Sequence, residues 1–322
     1  MPPNRGHPVS GGYLYEVRLA SFTIEPADDR DEGAAEFEGH LHRDGEVRCG
    51  AVVGDEIVDL TTPGIGLPGD MIELLRSGQG ALERAADAIS EGQRLSLDEV
   101  RLLAPVPRPT KVLAIGMNYV DHVLELGREA PEYQYWFNKQ RTCIVGPGAP
   151  VVVPRVSNLV DYEGELAMVV GRRCRYVSVD RLTDVIAGYT VMNDVSVRDW
   201  QWRTPTFTMG KSFDTHGPMG PYLVTTDEVE DAQDLSIRTW VNGELRQDSS
   251  TSQMIFSCAE QVEYLSTGFT LEVGDVILTG TPAGVGASFN PPRWLVPGDV
   301  VRISIEGVGT LENPVAADVG DP

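Results

Sequence analysis

Long apolar runs are missing from this chain. No stretch approaches the roughly 20 consecutive apolar residues that a membrane-crossing helix needs, and the opening residues contain no apolar core of a secretory leader. Basic residues are outnumbered, 26 against 48 acids, for a net charge of −22. A field of that sign argues against sequence-independent binding to nucleic acid or to an anionic membrane. It does not exclude an anionic small molecule, provided that cations or a metal ion reverse the potential inside a pocket. Cysteine is scarce: Cys49, Cys143, Cys174 and Cys258 lie far apart, with no C-x-x-C pair and no histidine at ligand spacing. That pattern suggests neither a zinc site nor a disulfide framework, and reduced, inert thiols are expected. Neither G-x-S-x-G nor H-E-x-x-H occurs, and Gly210-Lys211-Ser212 lacks the earlier glycine of a phosphate-binding loop, because Pro205 stands there. The expected class is a cytoplasmic, enzyme-sized protein.

At 322 residues the chain can bury a sizeable core in one large domain with an appendage or in two domains. Residues 1–12 read as a loose extension and the acidic stretch 25–38 as a solvated loop. Strand patterns are expected over 13–22, 47–53 and 56–60, with Gly54-Asp55 as a hairpin turn, followed by helical spacing over 70–76 and 80–90. Pro105, Pro107 and Pro109 punctuate the chain before a fresh apolar run at 112–115, which predicts a boundary between an N-terminal α+β domain, 1–106, and a second domain, 107–322. The second part is strand-rich: 144–153, 166–171, 187–192, 220–225, 235–241, 273–279 and 300–305. Regular βαβ alternation is missing, so the expected fold class is α+β, mainly β.

The informative stretch is DYEGELAMVVG, residues 161–171. Glu163 and Glu165 stand two apart, which places both on one side of a strand, immediately before the apolar run 166–170. Like charges that close need a counterion, and two chemistries supply one: a neighbouring lysine or arginine, or a hard divalent cation with oxygen ligands such as Mg²⁺ or Mn²⁺. A metal reading calls for a third acid, and Asp194 qualifies because it ends the strand-like stretch 188–192. The plain alternative is a solvated face. In GMNYVDHVLELG, residues 116–127, Asn118 is expected to cap a short helix and Gly127 to end it. Glu125 then lies one turn from His122 and holds its imidazole as a general base needs, unless the two are merely surface neighbours. Lys211, among turn residues, is either an oxyanion partner or a solvated loop charge.

Taken together, NYVDH followed by Glu125, DYEGELAMVVG, GYTVMNDVSVRDWQ, GKSFDTHGP and TGTPAGVG stand in the order seen in the fumarylacetoacetate hydrolase family. Over about residues 110–315 the chain resembles its acylpyruvase-like branch. The resemblance implies a mixed β-roll catalytic domain with a smaller N-terminal domain, a homodimer, and Mg²⁺ or Mn²⁺ held by Glu163, Glu165 and Asp194. It also implies a water-activating pair, His122 and Glu125, a pocket lysine, Lys211, and substrate-lining positions at Arg198, Gln201 and Thr281. Lys139, in the stretch WFNKQRT, is left without a role.

The activity expected from these residues is metal-dependent hydrolysis of a C–C bond in a β-diketo acid of the acylpyruvate type. The nearest alternatives, decarboxylation, tautomerisation or dehydration of a 2-oxo acid, share the enolate and use the same residues, so the sequence does not separate them. From another class, a dimeric scaffold without turnover would keep the fold alone.

Overall fold

A computed structural model describes residues 17–24 and 46–319. The expected loose extension, the acidic loop and the first part of the first strand lie outside those residues. The architecture is dominated by a 12-stranded mixed sheet and a smaller five-stranded sheet, with short helices filling the corners. The main path of the large sheet runs from Gln93–Ser96 through Glu56–Asp59, Arg48–Val53, Arg18–Ile24, Gly217–Thr225, Ile186–Asn193, Gly164–Val170, Val276–Leu278 and Val112–Gly116 to Tyr135–Lys139. Most neighbours are antiparallel, but Val276–Leu278 and Val112–Gly116 run parallel. The second sheet orders Glu244–Ser250, Ser236–Val241, Val300–Ile305, Gly309–Ala317 and Val151–Val153.

The strand Gly164–Val170 shows why the apolar run at its centre does not alternate with polar residues: all seven residues are buried. Leu166, Met168 and Val170 face a core shared with Ile237, Ile303 and Leu311 of the smaller sheet. Ala167 and Val169 face the other way, onto a core shared with Leu74, Leu82 and Ala85 of the helices Met71–Arg76 and Gln79–Ala88. A strand covered on both faces reads as a continuous hydrophobic run. Its two edges pair with Ile186–Asn193 and with Val276–Leu278, so its first residues are held rigidly.

The proline-punctuated stretch at 105–109 falls between Val100–Leu102 and Val112–Gly116, yet the large sheet continues across it. Arg18–Ile24 pairs with Gly217–Thr225 in register Arg18 to Val224 and Leu19 to Leu223. The Gly54-Asp55 turn joins Arg48–Val53 to Glu56–Asp59 as expected, with Gly54 at φ 65°. The first helix begins after Asp70, whose side chain accepts the Glu73 amide at 3.0 Å. The expected strand at 144–153 is two short pieces, Ile144–Val145 and Val151–Val153, which join different sheets. Gly148, at φ 72°, turns the chain between them.

Asn118 does not cap the short helix Val120–Glu125, contrary to expectation. Tyr119 holds the cap position without a side-chain bond. The Asn118 amide instead donates to the carbonyls of Phe256 and Thr279 at 3.0 and 2.8 Å and accepts the Phe256 amide at 2.8 Å. It therefore anchors the root of the helix to two distant loops. Gly127 does end the helix, at φ 63°, with its amide on Leu124 O and that of Arg128 on Val123 O.

His216 is a buried histidine in the turn before Gly217–Thr225; its Nε2 lies 2.8 Å from Val152 O, to which it donates. Burial pushes its pKa down to about 3, against the pull of that carbonyl and with the help of the Lys139 charge. Between about 6.5 and about 3 the unfolded chain takes up a proton that the folded chain refuses, so this group removes stability as pH falls, by roughly 1.4 kcal/mol per unit. His216→Gln keeps a donor for Val152 and abolishes the titration. Denaturant midpoints measured near pH 7 and near pH 5 are expected to differ less in the variant than in the native chain; equal losses would remove His216 from the acid response.

Candidate active site

Glu163, Glu165 and Asp194 come together. Each offers a carboxylate oxygen to a cluster whose members all lie within 4.8 Å of one another, and all three residues are buried. Convergence follows from the sheet: Glu163 and Gly164 open the strand, Asp194 follows Asn193 at the end of its antiparallel neighbour, and Gly164 pairs with Asn193. The Asp194 amide donates to Glu163 O at 2.9 Å, and the Glu163 amide to Asn193 Oδ1 at 3.0 Å. Three acids from two strand ends therefore share one point, buried more deeply than spacing alone suggested.

Cations surround the cluster. Lys211 Nζ lies 2.6 Å from Glu163 Oε2 and 2.7 Å from Asp194 Oδ2. Lys139 Nζ lies 2.7 Å from Asp194 Oδ1, fully buried behind it, and also donates to the carbonyl of Lys211. Arg198 Nη1 lies 2.6 Å from Glu163 Oε1 and 2.9 Å from Gln201 Oε1, while Nη2 reaches Asp161 Oδ2 at 2.7 Å. Burial by itself would raise the Glu163 pKa, but Lys211 and Arg198 override it and hold the carboxyl at about 2. Glu165 receives no such partner. Burial, then the charges of Asp194 and Glu163, push it well above the usual carboxylate range, with only the Gly280 amide donating to Oε2 at 2.7 Å and the Lys211 charge to oppose them. A buried all-oxygen set with one acid lacking a cation fits a hard divalent ion of the Mg²⁺ or Mn²⁺ kind.

Glu163, Glu165, Arg198 and Lys211 line one end of a cavity of about 630 Å³, with Asp194 packed behind them. His122 lines it, and its Nδ1 lies 3.2 Å from Glu125 Oε2. Burial alone would raise the pKa of Glu125; the bond from His122 and the Gly284 amide at 2.8 Å hold it below the ordinary value. An ionised carboxylate only accepts, so Nδ1 donates, and the neutral form of the ring would carry its lone pair on Nε2.

Arg198, Gln201 and Thr281 line the cavity, but all three are already engaged, Gln201 through the Arg198 guanidinium that its Oε1 accepts. The Arg198 guanidinium spans Asp161 and Glu163, and the Thr281 hydroxyl donates to Gly164 O at 3.0 Å and accepts from Gln247 Nε2 at 2.8 Å. Their side chains hold the strand end in shape. Asp161 is the residue the sequence reading missed. It accepts the amides of Tyr162, Gly286 and Ala287 as well as Arg198, and its place two residues before Glu163 was the available signal. Lys139 carried another, a lysine at the end of the strand Tyr135–Lys139 beside buried Phe137.

The turn TGTPAGVG binds the whole together through backbone amides. Gly280 N donates to Glu165, Gly284 N to Glu125 and Gly286 N to Asp161. Gly280 and Gly284 hold φ 95° and 103°, and a Cβ on Gly284 would stand 2.0 Å from Arg246 O. No side chain fits there.

Comparison with known proteins places this geometry. The model for the fumarylacetoacetate (FAA) hydrolase C-terminal domain matches residues 111–316. "Oxaloacetate tautomerase fahd2, mitochondrial" from Xenopus laevis is 44% identical over 265 residues, covering 81% of this chain and 83% of that protein. The crystal structure of fumarylacetoacetate hydrolase from Exiguobacterium antarcticum superposes with a TM-score of 0.78 at 35% identity, covering 94% of this chain and 99% of that one. Maleylpyruvate hydrolase from Sphingobium sp. SYK-6, solved with manganese(II) and pyruvate, gives 0.73 at 32% identity, covering 93% and 99%. With the family model spanning most of the chain and relatives of this similarity, the protein belongs to the fumarylacetoacetate hydrolase family.

Proposed function

We propose that the chain is a divalent-metal-dependent tautomerase that interconverts the keto and enol forms of an oxaloacetate-like 2-oxo acid. The observation that carries the reading is a single imidazole, His122, paired with Glu125 on the wall of a cavity that reaches Glu163 and Glu165 of the three-carboxylate cluster. The relative at 44% identity bears the name oxaloacetate tautomerase.

Glu163, Glu165 and Asp194 would hold Mg²⁺ or Mn²⁺, which supplies Lewis acidity toward a 2-oxo acid and lowers the cost of the enolate. His122 Nε2 takes a proton from C3 of the keto form, Glu125 stabilises the imidazolium that results, and that proton, delivered to the 2-oxygen directly or through water, completes the enol. In the reverse direction the same nitrogen returns the proton. Lys211 keeps a proton beyond the two it gives to Glu163 and Asp194, and its buried charge favours negative charge developing on the 2-oxygen. Burial alone would lower its pKa, but Asp194 and Glu163 raise it above the ordinary value, so it stays charged. Phe137, Ile115 and Val285 give the cavity apolar walls that limit water.

Hydrolysis of a β-diketo acid is the second reading, favoured by the likeness to maleylpyruvate hydrolase. It uses the same base to activate water rather than to move the C3 proton. One assay separates them. Purified protein with oxaloacetate and with acetylpyruvate, each with Mg²⁺ and with excess EDTA, is followed by enol absorbance and product analysis. Enol loss above the spontaneous rate, without CO₂ or a new carboxylic acid, is the expected result; acetate from acetylpyruvate would instead support hydrolysis, and CO₂ from oxaloacetate decarboxylation. His122→Ala is expected to lower the rate by about 10²- to 10⁴-fold. An undiminished rate would exclude His122 from the proton transfer.

Metal binding is read separately. Calorimetric titration with Mn²⁺ is expected to give one site per chain, lost in Asp194→Asn and Glu165→Gln. Glu165→Gln takes no ion-pair partner from a cation and is expected to fold, whereas Asp194→Asn takes the carboxylate from buried Lys139 and Lys211, so Glu165→Gln carries the test if Asp194→Asn does not fold. Full retention of the Mn²⁺ heat in every variant that folds would place the ion elsewhere.

A further inference from the structure

The cations around the cavity differ in what they are bound to. Lys139 and Lys211 are engaged by Asp194 and Glu163, and Arg198 by Asp161 and Glu163. Arg203 stacks on Trp200 at 3.9 Å and lies 3.5 Å from Asp199 Oδ2. Arg128 is different. Among the described residues its guanidinium has one recorded side-chain partner, the Met117 thioether, with Nη1 3.7 Å from Sδ. A thioether is a weak acceptor, and a guanidinium has five N–H donors in a planar fork that suits a carboxylate. Arg128 is exposed and lines the cavity together with Met117, Leu126, Tyr135 and Thr204.

Its place in the chain adds to this. Arg128 follows Gly127 directly, and its amide closes the helix end on Val123 O at 3.0 Å. The segment that carries His122 therefore ends in this guanidinium, only six residues on. A ligand anion bound there would fix the same segment that presents the catalytic imidazole. The 2-oxo acid head would be received at the acidic cluster by the divalent ion it holds and by Lys211, whereas a second anionic group on the substrate would find its uncommitted cation at Arg128.

We propose that Arg128 is a specificity-determining residue that binds the distal carboxylate of the substrate, so that the chain prefers 2-oxo dicarboxylates over 2-oxo monocarboxylates of similar length. The proposal rests on the 2-oxo acid reading of the site given above, and it adds the residue that selects among such acids. Arg128 has no part in the proton transfer, and its loss acts on binding of one end of the substrate.

The test uses the Mn²⁺-loaded protein and a matched set of acids. Dissociation constants for 2-oxoglutarate and 2-oxobutanoate are measured by calorimetry for the native chain, Arg128→Gln and Arg128→Lys, and the KM and kcat of the native chain and both variants are measured for oxaloacetate tautomerisation. A charged hydrogen-bonded contact is worth about 10- to 100-fold in affinity. Arg128→Gln is expected to weaken 2-oxoglutarate by that factor, to leave 2-oxobutanoate within about threefold, and to raise the KM for oxaloacetate while kcat changes little. Arg128→Lys is expected to recover part of the loss. Equal weakening of both acids, or no weakening of the dicarboxylate, would overturn the role of Arg128 whatever the turnover. Selective weakening in a protein that does not tautomerise oxaloacetate would keep Arg128 and overturn the tautomerase reading, and a native chain that binds neither acid would overturn both.

Discussion

Charge balance at the end of the strand Gly164–Val170 is the constraint on which the rest of the structure depends. Four buried carboxylates, Asp161, Glu163, Glu165 and Asp194, face three buried cations, Lys139, Arg198 and Lys211. Removing such groups from water costs several kcal/mol per ion unless partners replace the lost solvation. The protein sets them where two strand ends and a glycine turn converge, so that most carboxylate oxygens meet an amide or a cation at short range. The acids outnumber the cations by one, and the unmatched one is Glu165, which no cation bonds and whose pKa burial and its acidic neighbours push well above the usual range. A divalent ion there would supply the missing positive charge. The net charge of the whole chain, strongly negative, has little bearing on this local sum.

The surrounding fold serves that point in two ways. The large sheet pairs both edges of the strand, and the smaller sheet and two helices cover its faces, so the acids are placed by the rigid backbone of a core. The helix Val120–Glu125 is held differently, through Asn118 at its root and Glu125 at its end. Its outer face is open to solvent, with Leu124 70% exposed. The site is thus divided between acids on a fixed strand end and an imidazole on a surface helix tethered at both ends.

Much of this was legible in the sequence, and the reasons are specific. The run 166–170 announced a doubly covered strand, and the E-x-E spacing announced two acids on one side of it. His122 and Glu125 are one helical turn apart, so their pairing needed no tertiary information. What was not legible arises from chain crossings. Nothing near Asn118 reveals that its amide bonds Phe256 and Thr279, so a cap was the natural expectation, and nothing near Arg198 shows that Asp161 and Glu163 consume its donors. The strands Glu244–Ser250 and Gly309–Ala317 also escaped notice, because one is polar along most of its length and the other is interrupted by Pro314. Pairing within the smaller sheet, rather than their own composition, makes them strands.

The turn between Gly280 and Gly286 places its amides on acids from three separate parts of the chain. One belongs to the three-carboxylate cluster, one is the acid that meets the His122 imidazole, and one is Asp161 behind them. A single short piece of backbone thereby acts as a template that fixes the spacing between the base and the acids. Evolution of new substrates in this scaffold can proceed at the cavity mouth without disturbing that spacing, whereas lengthening the turn by even one residue would shift all three acids out of step at once.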